Sequence, residues 1–310
     1  MTFLIVTVSV LVLFFLIMLY FFNVAFVRHS EDGIDDINSE QNLFLSHHKE
    51  IITAGMDYID SSPHRWVYTT SFDGLKLAAR YYDTGSDRCI ILFHGYRSSA
   101  KRDFSCAVKM YCDLGINVLL VDQRSHGKSE GKYITFGVNE SRDVISWLDF
   151  LIKEYPETDS IFLGGMSMGA TTVLLSTRFT LPSQVKGIIA DCGFTSPKAI
   201  IKKVAKQKFF ISGIIVIPIM DILCRIFGKF SISGISAEEA LKKSDVPILL
   251  IHGTADNFVP CEMSKQNYGA ARGKKQLYLV DGADHGMSFL ADTKGVVGKV
   301  YEFINSCQSA

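Results

Sequence analysis

The chain has 310 residues, 48% of them hydrophobic, and its 32 basic residues balance its 32 acidic residues to a formal net charge of zero. This balance provides no cationic field for nucleic acid, and no basic face alternates with aromatic residues, so we expect no nucleic-acid partner. The length is ample for one large α/β domain with a single hydrophobic core.

The N-terminus predicts a membrane anchor. From Phe3 to Val27 the chain carries no charge and is apolar apart from Thr7, Ser9 and Asn23. This stretch exceeds the roughly 20 residues that cross a hydrocarbon core, whereas a cleavable signal peptide has a basic start and about 7 to 15 apolar residues. We therefore predict one uncleaved transmembrane helix over residues 1–27. The alternative, a buried core helix, would append a very long apolar helix to an already complete fold.

Two features of the sequence favour a cytoplasmic position for the domain that follows the predicted span. Arg28 is the only basic residue near the span and lies on its C-terminal side, where the positive-inside rule places the cytoplasm. The seven cysteines are scattered, odd in number and without a C-x-x-C pattern. Such cysteines are typical of free thiols in a reducing compartment, so we expect no disulfide framework and no metal site.

Residues 28–65 are predicted to connect the anchor to the rest of the chain. The acidic stretch 31–40 is typical of a flexible juxtamembrane segment. Apolar residues from Leu43 to Ile59 then recur at mixed helical spacing, which indicates a short helix that ends before Pro63.

The remaining residues, 66–310, form the predicted main domain, which begins with a hairpin. Strand-like runs at 66–71 and 75–82 are joined at Asp73-Gly74, a strong hairpin signal. Two more strand-like runs follow, and each ends in a polar loop that contains glycine. Residues 89–93 lead into His94-Gly95-Tyr96-Arg97, and residues 116–121 lead into the segment 122–131, DQRSHGKSEG.

The most informative motif is Gly165-Met166-Ser167-Met168-Gly169, between a strand-like run at 160–164 and a helix-like run at 170–175. G-x-S-x-G at a strand-to-helix turn is the nucleophile elbow, which exposes a serine hydroxyl above a sheet. The tight turn holds the serine in strained geometry, and side chains at the flanking positions would collide with the neighbouring strand and helix. We predict Ser167 as a nucleophile.

An acid and a histidine follow at the ends of two later strands. Residues 246–251 lead into His252 and Asp256, and residues 276–280 lead into Asp284-His285. Loops that follow strands in open α/β sheets carry the chemistry, so we predict Asp256 and His285 as partners of Ser167. Asp256 could instead be a turn-forming aspartate, with another carboxylate in its role. Asp284 is adjacent to His285 and is poorly placed to reach back to its imidazole.

Serine, then acid, then histidine is the chain order of the α/β-hydrolases. With the loops at 94–97 and 122–131, the sequence resembles the α/β-hydrolase superfamily from about Tyr68 to the C-terminus. More narrowly, it is similar to bacterial membrane-anchored serine hydrolases. The segment 122–131 resembles the D-x-R-G-x-G-x-S element of the family, although Ser125-His126 departs from its glycines.

The resemblance implies an α/β fold with a mostly parallel central sheet, helices on both faces and a small helical cap. It also implies a catalytic triad of Ser167, Asp256 and His285, with the backbone N–H groups of Tyr96 and Met168 as the oxyanion hole. Three other histidines, at 94, 126 and 252, are interpreted as structural or packing residues.

The cap is expected at 195–245, which contains an apolar block at 209–220 broken by Gly213 and Pro218. Two interpretations remain open: packed helices that only cover the sheet, or a cap that shapes an acyl-chain pocket or touches the membrane. A second membrane span is not expected, because the block is short and has charged residues at both ends.

The expected activity is hydrolysis of carboxylic esters of acyl or lipid-like substrates through an acyl-enzyme, without a metal or organic cofactor. Its partners would be a small-molecule acyl ester and the membrane. One alternative is a serine aminopeptidase or other amide hydrolase, which would need acidic residues near the pocket, and none is evident in the sequence. The other is a catalytically silent membrane-tethered scaffold.

Overall fold

The computed structural model describes residues 1–30, 34–38, 45–209 and 212–308. Parts of three predicted segments lie outside these residues: positions 31–33, 39 and 40 of the acidic stretch, Leu43 of the short helix, and positions 210 and 211 of the apolar block.

The described residues contain one eight-stranded sheet. Its strands are β1 (Arg65–Thr70), β2 (Lys76–Tyr82), β3 (Arg88–Phe93), β4 (Asn117–Asp122), β5 (Ser160–Met166), β6 (Val185–Asp191), β7 (Ile248–Gly253) and β8 (Lys275–Val280). They lie in the order β1-β2-β4-β3-β5-β6-β7-β8. Only β2 pairs antiparallel, with β1 and with β4, and all other neighbours are parallel. The predicted hairpin and the mostly parallel sheet are therefore confirmed.

Helices precede the sheet, alternate with its strands and cover it. They are α1 (Thr2–Phe26), α2 (Lys49–Ser61), α3 (Ala100–Asp103), α4 (Ser105–Asp113), α5 (Glu140–Glu154), α6 (Met168–Ser176), α7 (Pro197–Phe209), α8 (Gly213–Leu223), α9 (Ala237–Leu241), α10 (Glu262–Ala270), α11 (Ser288–Ala291) and α12 (Thr293–Gln308). The predicted short connector helix is α2, which ends two residues before Pro63.

The core consists of one apolar layer on each face of the sheet. On one face α5 and α6 pack against the strands through residues such as Trp147 and Leu174. On the other face α4 and α12 do so through residues such as Val108 and Phe303. The central strands are buried on both sides, which explains why β3 and β7 are continuous apolar runs instead of alternating ones.

The predicted cap is helical and comprises α7, α8 and α9. The apolar block is not broken at Pro218, contrary to the prediction. Instead α8 runs through Pro218 and continues as a π-helical turn at Cys224–Gly228. Proline disfavours a helix interior, but Val216, Ile217 and Met220 are buried in the cap core and stabilise the helix by packing.

Helix α1 is long and apolar enough to cross a membrane, and no other helix in the described residues is. Most of its length is exposed. Met18, Phe22 and Phe26, at four-residue spacing on one face, are buried in the same apolar cluster as the cap. After α1, the backbone N–H of Arg28 donates to the carbonyl of Lys132, and the Arg28 side chain donates to the carbonyls of Ser129 and Gly127. The end of α1 is thereby attached to the domain that carries the sheet.

Candidate active site

Ser167 occupies a strained turn between β5 and α6. Its φ of 55° and ψ of −113° lie outside the regions that a serine ordinarily adopts. A β-carbon at Gly169 would lie 1.8 Å from the carbonyl oxygen of Phe93, and one at Gly165 would lie 2.3 Å from the backbone of Gly169. Strand β3 and helix α6 therefore approach so closely that only glycine fits on either side of Ser167.

The structure brings the three predicted side chains together. Nε2 of His285 lies 2.9 Å from Oγ of Ser167, and Nδ1 of His285 lies 2.7 Å from Oδ2 of Asp256. The carboxylate can only accept, so Nδ1 carries the hydrogen and Nε2 is free to accept the proton of the serine hydroxyl. The arrangement can therefore transfer a proton from Ser167 to His285.

Asp256 is held in its ionised form. Burial alone would raise the pKa of its carboxyl, but hydrogen bonds from His252 and His285 outweigh burial and lower the pKa below its usual range. The backbone N–H groups of Phe258 and Val259 also donate to Oδ1, at 2.9 and 2.7 Å. A fixed negative charge therefore lies beside Nδ1 of His285.

His252 is more than the packing residue that we interpreted from the sequence. Its Nε2 lies 3.1 Å from Oδ2 of Asp256 and 2.8 Å from the carbonyl oxygen of Val259, so Nε2 carries a hydrogen. Its Nδ1 lies 2.7 Å from Oγ of Ser264. The only sign of this contact in the sequence was that His252 and Asp256 are four residues apart. That spacing does not reveal that the chain turns back at the end of β7 and brings the two side chains together.

Asp284 has a structural role in the loop. Its Oδ1 accepts hydrogen bonds from the backbone N–H groups of His285 and Asn257, at 2.8 and 3.2 Å. These bonds connect the loop that carries His285 to the loop that carries Asp256.

The two predicted oxyanion donors lie at the end of β3 and the start of α6. Neither the backbone N–H of Tyr96 nor that of Met168 donates a hydrogen bond to another described residue. The loop around Tyr96 is held on both sides. The N–H of Gly95 donates to Asp103 at 2.7 Å, and the N–H of Arg97 donates to Nε2 of His126 at 3.2 Å.

Both histidines that we interpreted as structural support this loop. His94 accepts the N–H of Gln123 at Nε2 (3.1 Å), and its Nδ1 lies 2.8 Å from the carbonyl oxygen of Gly95. Burial, together with the nearby His94, lowers the pKa of His126 well below its usual value. His126 therefore stays neutral, as its role as an acceptor from Arg97 requires.

Two cavities meet at Ser167. The first, about 240 Å³, has Arg102, Asp103 and Asp191 among its lining residues. Burial raises the pKa of Asp191 to about 6, and the hydroxyl of Ser288 donates to its carboxylate at 3.0 Å. The sequence did not indicate these acidic residues near the pocket, because Asp191 at the end of β6 and Asp103 on α3 both lie outside the motifs.

The second cavity, about 330 Å³, is almost entirely apolar, and Arg97 is the only charged residue among the described residues that line it. It lies between the cap and the C-terminal end of α1. Of the two interpretations of the cap, the geometry favours a cap that shapes a pocket over Ser167.

One group of potential metal ligands coincides with the predicted triad. Potential ligand atoms of Cys192, Asp256 and His285 lie within 4.8 Å of one another. Burial, followed by the carboxylates of Asp191 and Asp256, raises the pKa of the Cys192 thiol well above its usual value. A metal needs the thiolate, so this group is a poor fit for a metal ion.

Comparisons with known proteins agree with this architecture. The family model described as serine aminopeptidase, S33, matches residues 84–232. YqkD of Bacillus subtilis is 27% identical over 70% of this chain and 71% of its own length. Human monoglyceride lipase is 28% identical over 69% of this chain and 80% of its own length.

Among solved structures, the esterase Pf2001 of Pyrococcus furiosus superposes with a TM-score of 0.63 at 26% identity. It covers 80% of this chain and 95% of its own. The esterase and the monoglyceride lipase are hydrolases by name, and together with the family model they support hydrolase activity for this chain. The chain is a member of the α/β-hydrolase superfamily.

Proposed function

We propose that the protein is a serine hydrolase that cleaves carboxylic esters of acyl or lipid-like substrates through an acyl-enzyme. One observation carries the proposal: the continuous path from Oγ of Ser167 to Nε2 of His285 (2.9 Å) and from Nδ1 of His285 to Asp256 (2.7 Å). Nucleophile, base and orienting acid within hydrogen-bonding distance form the arrangement that activates a weak serine nucleophile.

In the proposed acylation step, His285 removes the hydroxyl proton as Oγ of Ser167 attacks the ester carbonyl carbon. The carbonyl electron pair moves onto its oxygen, which the N–H groups of Tyr96 and Met168 stabilise. Loss of one such donor costs about 2.7 to 4 kcal/mol of transition-state stabilisation in other enzymes. The C–O bond to the alcohol then breaks, and His285 returns its proton to the leaving alkoxide.

In deacylation, His285 removes a proton from water, and the resulting hydroxide attacks the acyl carbon. The bond to Oγ breaks, Oγ recovers the proton from His285, and the carboxylic acid leaves. Asp256 stays ionised in both steps and stabilises the imidazolium. The protein's own residues thus perform each proton transfer.

Two observations favour esters over amides. The relatives include an esterase and a monoglyceride lipase by name. The second cavity beside Ser167 is almost wholly apolar, as an acyl chain requires.

We also propose that α1 is a retained membrane anchor, followed by a connector over 28–65 and the hydrolase domain over 66–310. A cleaved signal peptide would be lost from the mature protein, yet Phe26 is completely buried in the cap cluster. All seven cysteines are free, which favours a cytoplasmic domain. If the domain is cytoplasmic, an impermeant maleimide should label a Ser61→Cys variant no more than the wild type in intact cells. After the cells are lysed, it should label the variant more than the wild type.

A fluorophosphonate probe tests the proposed nucleophile. We expect it to label the wild-type protein and a Ser61→Ala control, in which an exposed serine far from the site is changed, but not Ser167→Ala. Equal labelling of Ser167→Ala would refute the nucleophile, and the absence of labelling in the wild type would favour a silent scaffold.

A second candidate, an amide hydrolase of the aminopeptidase type, is favoured by Asp191. This carboxyl lines the first cavity, and above about pH 6 its negative charge could hold a substrate ammonium group. Nitrophenyl acyl esters and aminoacyl anilides distinguish the candidates. Turnover of the anilides alone would replace the ester proposal.

A further inference from the structure

The apolar cavity has a wall that belongs to the N-terminal helix. Phe21, Val24, Ala25 and Phe26, in the last two turns of α1, line it together with the cap. Ser167 lines the same cavity. A helix that by composition belongs in lipid therefore shares a cavity with the predicted nucleophile.

Hydrogen bonds fix the end of α1 to the loop after β3. The guanidinium of Arg97 donates from Nη2 to the carbonyl oxygens of Val24 and Val27, at 2.8 and 2.7 Å. The hydroxyl of Tyr96 donates to the carbonyl of Ala25 at 2.9 Å. The last carbonyls of a helix lack partners within it and carry a partial negative charge, so a guanidinium is well suited to them. The position of α1 is thereby coupled to the loop that carries a predicted oxyanion donor.

The length of α1 places the cap at the membrane boundary. The part before Met18 is about 24 Å long at 1.5 Å per residue. A hydrocarbon core is about 30 Å thick, so this free part alone does not cross it. If α1 spans the membrane, the turns from Met18 onward, which pack on the cap, must begin inside the lipid.

The outer surface of the cap fits that position. On α8 and its π-helical extension, exposed apolar residues recur at four-residue spacing on one face. They are Ile214, Pro218, Ile222 and Ile226. The neighbouring Phe227 has its ring 5.6 Å from that of Phe22 on α1. This apolar stripe is thus continuous with α1. We expect a lipid leaflet to cover both surfaces.

We infer that the last two turns of α1 form one wall of an acyl-chain site that opens toward the lipid leaflet. The substrate is a long-chain acyl ester taken directly from the bilayer in which α1 is anchored. Its chain lies in the cavity between α1 and the cap, and its alcohol part lies in the more polar cavity on the other side of Ser167. This inference rests on the proposed ester hydrolysis and adds the source of the substrate and the role of α1.

Filling the cavity from α1 tests the inference in the full-length protein in phosphatidylcholine vesicles. The measured quantity is the ratio of kcat/KM for a hexadecanoyl ester to that for a butanoyl ester. Val24→Trp should lower this ratio tenfold or more. Val10→Trp, the same change at a position on α1 that is 60% exposed and far from the cavity, should leave the ratio at the wild-type value. Equal ratios in both variants would overturn the assignment of α1 as a wall.

Two further measurements keep the result interpretable. Fluorophosphonate labelling checks that Val24→Trp is folded, and Ala25→Leu, a smaller change on the same wall, replaces it if labelling is lost. If the wild type hydrolyses neither ester, the proposed function fails. If the wild type is active and Val24→Trp keeps its chain-length ratio, only this inference fails.

The source of the lipid is tested by where the hexadecanoyl ester is placed. We expect hydrolysis when the ester and the protein share vesicles, and at least a tenfold lower rate when the ester is in separate vesicles. Equal rates would show that the substrate arrives through water, and would overturn direct entry from the bilayer.

Discussion

His252 donates a hydrogen bond to Oδ2 of Asp256 at 3.1 Å, the same oxygen that His285 contacts at 2.7 Å. The carboxylate is therefore held between two imidazoles, one in the interior and one facing Ser167. Its orientation toward His285 depends on a residue that does not itself touch Ser167. His252 is thus a positioning residue for the proposed relay.

Replacement of His252 by Phe should lower kcat about 10- to 100-fold, because small displacements of a proton relay have effects of that size. It should also lower the free energy of unfolding by about 1 to 3 kcal/mol, since buried polar groups lose their partner. Steady-state kinetics on a nitrophenyl ester and urea unfolding measure the two effects.

Ser264→Ala is the matched control for His252→Phe. It removes only the partner of Nδ1, which lies 2.7 Å from the serine hydroxyl, and keeps the bond to Asp256. We expect the free energy of unfolding to fall by about 1 kcal/mol, the contribution of a neutral hydrogen bond. We expect kcat to stay within about threefold of the wild-type value, because the bond to Asp256 is kept. A loss of kcat as large as that of His252→Phe would contradict the positioning role.

Asp256→Asn should reduce kcat about 10³- to 10⁴-fold, because an amide cannot hold the imidazole in the required tautomer or stabilise its charge. Asp284→Asn, in the adjacent loop, should reduce kcat less than about tenfold, since the described residues that donate to its carboxylate do so from backbone N–H groups. Burst kinetics with a nitrophenyl ester compare both variants. Similar losses would mean that the acid has been misassigned.

Asp191→Asn should stabilise the protein above about pH 6. Burial raises the pKa of Asp191 from its ordinary value of about 4 to about 6, so the folded state holds the proton more tightly than the unfolded state. Stability is then lost as pH rises between about 4 and 6, by up to about 3 kcal/mol at 1.36 kcal/mol per pKa unit. The gain in Tm of the variant over the wild type should be larger at pH 8 than at pH 4. A gain that is equal at both pH values would exclude an ionising, buried Asp191.

Gly169→Ala should unfold or strongly destabilise the elbow, by about 3 kcal/mol or more, and abolish fluorophosphonate labelling. Its β-carbon would lie 1.8 Å from the carbonyl oxygen of Phe93, and neither strand nor helix can move away easily. Gly298→Ala is the control, because this exposed glycine within α12 has no atom within 4 Å of its β-carbon position. It should raise stability by about 0.5 to 1 kcal/mol. Thermal unfolding and probe labelling measure both.

By itself, the sequence determined the class of fold and the order of its elements. The G-x-S-x-G turn, the Asp-Gly hairpin and the apolar strands depend on local sterics and on hydrophobic periodicity, and both are visible in neighbouring residues. The same local signals placed Ser167, Asp256 and His285 at strand ends, where a parallel sheet gathers them at one edge.

The tertiary structure alone decided which distant groups meet. The bond of His252 to Asp256, the position of Asp191 in the cavity and the contact of Arg97 with the end of α1 leave no periodic trace in the chain. The last joins residues about 70 positions apart. Such contacts depend on how loops and helices pack around a finished sheet, because hydrogen bonds and apolar burial act between neighbours in space, whatever their separation along the chain.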